Sequence, residues 1–162
     1  LWMAFPFLLL AIAIVSILGP GLTNTMIAVG ISGIPGYCRV TRGSVLSVRE
    51  KEFVEAAKAL GLKEWQILLK HVLPNVLAPI IVLSTLTLGS SILGASALSF
   101  LGLGAQPPAP EWGFMLNNAR GFVHDAWWYS LFPGLTIMLM VLGFNLLGDG
   151  LRDALDPKLQ KD

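Results

Sequence analysis

The chain has 162 residues, of which 54% are hydrophobic and 13% charged, with a formal net charge of +1; a soluble domain carries roughly 25% charged residues, so this composition is not matched to water. Mean hydropathy is +0.70. No basic patch offers itself to nucleic acid, and the single cysteine, Cys38, cannot make an internal disulfide and is expected to pack as a small apolar side chain.

Residues 1–38 contain no Asp, Glu, Lys or Arg. A bilayer-spanning helix needs about 20 predominantly apolar residues, so this stretch is expected to hold two spans, 5–18 and 22–38, turned by Gly19-Pro20-Gly21. The opening Leu1 lies within the apolar run, which predicts a fragment whose earlier spans are missing. A signal peptide is disfavoured, because no basic segment precedes the run and no Ala-x-Ala site follows it. In the second span Gly30, Gly33 and Gly36 stand at close-packing intervals, which predicts helix contact or, more sharply, a place on a translocation path. Pro35 is expected to kink this span near the membrane edge.

The segment 39–71 is the most polar part of the chain and is read as a loop on one side of the membrane. Within it Phe53, Ala56, Ala57 and Leu60 fall at i, i+3, i+4 and i+7, the spacing of one helical face. Glu52, Glu55 and Lys58 occupy other faces, and Gly61 stands where a left-handed helix stop belongs. Trp65, Leu68, Leu69 and Val72 repeat the spacing and predict a second short helix, ended where Pro74 restarts the chain. Asn75 and Pro79 lead into the next span. Two short amphipathic helices joined by a glycine can lie on headgroups or cap their own bundle, or they can dock against a partner.

Residues 71–110 are again uncharged and supply a third span at about 76–98; residues 126–148 supply a fourth. Ser90 with Gly94, and Ser91 with Ala95, repeat the small-residue spacing. Between these spans Pro107, Pro108 and Pro110 stiffen a loop, and Trp112, Trp127, Trp128 and Tyr129 are residue types that gather at a membrane interface. His124 beside Asp125 is one imidazole and one carboxylate, too few for a metal site. Asn145 and Asp149 close the last span, and neither is assigned to substrate.

Basic residues orient the whole. Of 11 Lys and Arg, seven lie in 39–70 (Arg39, Arg42, Arg49, Lys51, Lys58, Lys63 and Lys70) and three in the tail (Arg152, Lys158 and Lys161). Only Arg120 falls in the loop at 103–125. Cytoplasmic loops are enriched in Lys and Arg, so both termini and the 39–71 loop are expected in the cytoplasm and 103–125 outside.

Three ordered segments resemble one family. Glu55-Ala56-Ala57-x3-Gly61, then nine residues, then His71-Val72-Leu73-Pro74-Asn75 is similar to the coupling signature of membrane-spanning subunits of ATP-binding-cassette importers. His71 stands where the general pattern has Ile, in the form typical of the peptide-importer branch. Ser99-Phe100-Leu101-Gly102-Leu103-Gly104, with Gln106-Pro107-Pro108-x-Pro110-Glu111-Trp112-Gly113, resembles the outer loop of that branch. Gly148-Asp149-Gly150-Leu151-Arg152-Asp153-x-Leu155-Asp156-Pro157 resembles its terminal segment. The likeness covers essentially the whole chain and is nearest to the second permease subunit of dipeptide and oligopeptide importers.

This resemblance implies an all-α polytopic membrane bundle, a single transmembrane domain over residues 1–162 with four of six spans and a short cytoplasmic coupling helix. It implies a permease that forms half of a translocation path, with a paralogous permease as heterodimer partner, two ATPase subunits, an extracytoplasmic solute-binding protein and the lipid bilayer. Glu52, Phe53, Glu55, Ala56, Ala57, Leu60, Gly61, Leu73 and Pro74 would couple to the ATPase and catalyse nothing. No cofactor or metal is implied, and no phosphate-cradling Gly-x4-Gly-Lys-Ser/Thr segment is present. The segment 111–120 would receive the loaded binding protein. Nickel, glutathione or another small solute is the alternative cargo. A secondary transporter or channel would more often place ionisable residues inside its spans, and a membrane-embedded enzyme would need converging catalytic residues that this sequence lacks.

Overall fold

The computed structural model describes residues 5–155. All regular structure among them is helical: α1 (Phe7–Leu18), α2 (Leu22–Arg49), α3 (Glu52–Ala59), α4 (Glu64–Ile67), a π turn (Leu68–Val72), α5 (Leu73–Phe100), α6 (Trp112–Ala119), a 3-10 turn (Arg120–Phe122) and α7 (Trp128–Leu155).

Two helical stretches are both long and apolar enough to cross a bilayer, Glu64–Phe100 with 37 residues and Trp128–Leu155 with 28. The other two expected spans do not meet both conditions. α1 has 12 residues, about 18 Å of helix against a hydrocarbon core of about 30 Å. α2 has the length, 28 residues, but it runs on past Cys38 through Arg39 and Arg42 to Arg49. Helical hydrogen bonding does not stop where the apolar run stops, so the boundary drawn at Cys38 marks a change of surroundings and not an end of the helix. α7 likewise passes the expected boundary at 148 and continues to Leu155. Asp156, Pro157, Lys158 and Lys161 of the terminal segment lie outside the described residues, as does Leu1.

The expected turn at Gly19-Pro20-Gly21 is present. Gly19 and Gly21 have φ of 87° and 147°, and Asn24 from α2 donates its side-chain amide to the Leu18 and Gly19 carbonyls at 2.9 and 3.0 Å. The next helix thus satisfies acceptors left open at the end of α1. Ala11, Val15, Ala28, Val29 and Leu98 bury together where α1, α2 and α5 meet.

α5 is central, packing against α1, α2, α6 and α7. Small residues set its closest approaches. A Cβ on Gly89 would sit 3.3 Å from both the Val141 carbonyl and Asn145 Oδ1, and one on Gly94 would sit 2.9 Å from the Phe7 ring. Gly30, Gly33 and Gly36 differ from expectation: a Cβ at any of them would meet nothing within 4 Å, so their stripe packs no helix of the described chain. Pro35 sits inside an unbroken α2. Along the middle of α5, Ser84 donates to the Ile80 carbonyl at 2.8 Å and Thr87 to Leu83 at 2.8 Å, which is how polar side chains are tolerated along an apolar span. Tyr37 joins α2 to α5 through a 2.5 Å hydroxyl contact with Thr87.

Candidate functional site

The polar segment after α2 forms a compact projection built around one buried cluster. α3 starts at Glu52 with Lys51 as its cap residue in extended conformation, carries Glu52 and Glu55 in its first turn, and carries Lys58 in its last. That order of charges complements the helix dipole. The helix stops at Gly61, whose φ is +76°. The Gly61 N–H reaches the Lys58 carbonyl at 2.9 Å and the Leu62 N–H reaches Ala57 at 3.2 Å, the paired bonds of a Schellman stop. The left-handed stop expected at Gly61 is therefore present.

α3 turns inward a side other than the one that carries the regularly spaced apolar residues. Val54 and Ala57 are buried, 1% and 4% exposed, and they join Val48, Ile67, Val72 and Val76 in a shared core. Of the four residues expected to share one helical face, only Ala57 is buried. Phe53 and Leu60 are 39% and 81% exposed, and Ala56 is exposed with Glu52 and Glu55. The i, i+3, i+7 face was real, but it points away from this chain. An eight-residue helix with apolar residues on two sides leaves the choice between them to tertiary contacts, here the cluster of Val48, Ile67, Val72 and Val76.

The second short helix is not a separate element. Glu64 to Phe100 is one helix of 37 residues, with the π turn at its lower end. Gln66 Oε1 accepts the Lys63 N–H at 3.0 Å and fixes its start. The buried residues are Ile67, Val72 and Val76, five and four apart, while Trp65, Leu68 and Leu69 are 57%, 50% and 52% exposed. A π turn holds more residues than an α turn, so the buried face skips from Ile67 to Val72 and the expected face is broken. Its marker bond runs from the Leu73 N–H to the Leu68 carbonyl. Pro74 follows at the first turn of α5. Proline has no N–H and its ring clashes with the carbonyl four residues back, so the wider turn absorbs Pro74 where a break was expected. Asn75 donates its side-chain amide to the His71 carbonyl at 2.7 Å. Leu73 is 40% exposed, and Pro74 is exposed.

Val48 of α2, Val54 and Ala57 of α3, and Ile67 to Val76 of the long helix thus clamp α3 onto the ends of two long helices, with its Phe53, Ala56 and Leu60 side free. A groove of about 380 Å³ runs beside it, lined by Arg49, Lys58, Glu64, Trp65 and Leu68 among others.

At the opposite end of α5 a second Schellman stop sits at Gly102, φ +81°, with the Leu103 N–H bonded to the Leu98 carbonyl at 2.9 Å. α6 packs on this end. Glu111 caps α6 by accepting the Phe114 N–H at 2.8 Å, Asn117 donates to the Phe100 carbonyl, and Arg120 lies 4.9 Å from the centre of the Phe100 ring. A Cβ on Gly113 would overlap the Ser96 carbonyl. The outer-loop motif is therefore largely a joint between α5 and α6. Of the segment 111–120, residues 111–117 are at least partly covered, and the exposed surface is centred on Asn118 and 120–125. Among the described residues no three His, Cys, Asp or Glu side chains converge as metal ligands.

Residues 1–161 match the family described as binding-protein-dependent transport system inner membrane component. The chain is 60% identical over 158 residues to the dipeptide transport system permease protein DppC of Alkalihalophilus pseudofirmus, covering 98% of this chain and 52% of that protein. It is 54% identical to the di/tripeptide transport system permease protein DppC of Pseudomonas aeruginosa, with 98% and 52% covered. It is 53% identical to the glutathione transport system permease protein GsiD of Escherichia coli, with 97% and 52% covered. The chain spans about half the length of the curated relatives it matches.

Proposed function

The chain belongs to the family of binding-protein-dependent transport system inner membrane components, and from that premise we propose that it is part of the permease of an ATP-driven importer for dipeptides or oligopeptides. The observation that carries the reading is the free side of α3. Phe53 and Leu60 are exposed apolar side chains on a helix whose other side is locked into a core. An exposed apolar patch on a rigid base marks a docking site.

On this reading α3 seats in a cleft of an ATPase subunit, and a second such helix comes from a paralogous permease in a heterodimer. ATP is bound and hydrolysed by two partner ATPase subunits. Their closure draws the docked helices together, and the long helices swing between inward-open and outward-open arrangements, a bistable element biased by a ligand on a partner. Glu52, Phe53, Glu55, Ala56 and Leu60 supply the contact. Ala57, Gly61, Leu73 and Pro74 hold its geometry. The segment 39–71 faces the cytoplasm, consistent with its seven basic residues, and the surface at 118–125 faces outward to receive a loaded solute-binding protein.

Peptide cargo follows the two dipeptide-type relatives, and glutathione, itself a small peptide, follows the third. The test is reconstitution of the full-length permease with its partner permease, ATPases and binding protein in lipid vesicles, recording uptake of labelled dipeptides with glutathione and nickel as competitors. ATP-dependent uptake that falls in Gly61→Val supports the reading. Flux indifferent to ATP and to the loop returns the chain to the channel or secondary-transporter class.

A further inference from the structure

A second groove opens at the lower end of the bundle, where the coupling segment, α5 and α7 meet. Its volume is about 520 Å³, and its walls include Lys51, Asn75, Pro79, Val82, Leu86 and Arg152. The charged residues lining it, among those described, are both cations. Lys51 is the residue that opens α3, and Arg152 lies in the last turn of α7. Beyond Asn75, the wall along α5 from Ala78 to Leu86 is apolar, within a helix long enough to cross a bilayer. By contrast, the groove beside α3 mixes Arg49 and Lys58 with Glu64 and has no such preference of sign.

We infer that this groove binds an anionic glycerophospholipid, its phosphate between Lys51 and Arg152 and an acyl chain along Pro79, Val82 and Leu86. A cationic mouth over an apolar wall at the end of membrane helices matches an anionic headgroup attached to a chain, and basic residues gathered there are the usual means of holding one. A soluble phosphate would use the cations but gain nothing from the wall. The assignment rests on the membrane placement of α5 and α7 and not on peptide cargo or ATP coupling. It has a structural corollary: one headgroup would tie the cap residue of the coupling helix to the last turn of α7, across two elements that would shift together when α3 moves.

The test uses the full-length permease in its complete complex, extracted from vesicles of equal phosphatidylcholine and phosphatidylglycerol, with retained lipid counted by native mass spectrometry. Phosphatidylglycerol should be retained in preference to phosphatidylcholine. Lys51→Ala and Arg152→Ala should each weaken retention about fivefold, and together roughly 25-fold. Lys51→Arg with Arg152→Lys should restore it, which separates loss of charge from loss of folding. Val82→Trp, which fills the apolar wall and leaves both cations in place, should also expel the lipid. Wild-type complex that retains no phosphatidylglycerol, or a double alanine variant that retains as much as wild type, overturns the assignment. So does displacement by equimolar glycerol phosphate, which would make the occupant a free phosphate. Retention measured in this way is independent of transport, so it can stand or fall apart from the importer reading.

Discussion

Gly61 and Gly102 adopt left-handed conformations, φ +76° and +81°, at the ends of α3 and α5, and in both the residue after the glycine folds back onto a carbonyl in the helix it leaves. A β-branched side chain in that region costs about 1–2 kcal/mol. Gly61→Val should therefore loosen the end of α3 without unfolding the bundle, since a Cβ there meets no neighbour. The expected outcome is normal assembly of the complex with reduced uptake per ATP hydrolysed. Gly113→Ala should behave in the opposite way. Its Cβ would overlap the Ser96 carbonyl, backbone that cannot rotate aside, so a loss of about 1–3 kcal/mol should lower the thermal midpoint of the purified permease. The difference between these glycines explains what sequence can reveal. The stop at Gly61 is local, set by the helix that precedes it, and is legible. The contact of Gly113 with Ser96 joins residues seventeen apart in the chain across a turn of unknown geometry, and nothing near Gly113 announces it.

Among the elements, α3 shows how periodicity can find a helix and a shared face without telling which side packs inward. Its extent and stop were readable, but the buried pair is Val54 and Ala57 while Phe53 and Leu60 stay exposed. Two consequences can be measured. Val54→Ala removes two buried methyl groups, about 1.6 kcal/mol from transfer alone, and should destabilise the projection as seen by faster amide hydrogen exchange in residues 50–63. Leu60→Ala, at 81% exposed, should change stability by less than about 0.5 kcal/mol yet, on the proposed docking of α3, lower the affinity of the permease for the partner ATPase in a pull-down titration. Equal effects of the two changes would mean that Leu60 serves the fold and not a partner. The π turn was hidden for a related reason. The repeat at Trp65, Leu68, Leu69 and Val72 assumes 3.6 residues per turn, and Pro74 forces a wider one, so only Val72 of the four is buried.

At the scale of the molecule, the membrane character was readable from the uncharged runs, and the placement of Arg and Lys gave an orientation. The count of spans was less secure, because α1 and α2 do not meet both length and composition criteria while α5, with its α4 extension, and α7 do. The orientation can be tested in a Cys38→Ser background. Lys58→Cys, on α3, should react with a membrane-impermeant maleimide only after the cells are opened, and Gln106→Cys, on the exposed loop at the far end of α5, should react in intact cells. Reversal of the two patterns would invert the topology and remove α3 from reach of any cytoplasmic ATPase.

The unbroken helix from Glu64 to Phe100 sets a mechanical advantage. Its 37 residues measure about 55 Å, and its base is fastened to α3 by Ile67, Val72 and Val76. Tilted about that base, it is a lever whose far tip travels about 1 Å for each degree of rotation. A rotation of a few degrees imposed from below, too small to disturb the packing at the fulcrum, would sweep the joint with α6 through several ångströms, the width of an opening that admits a small solute.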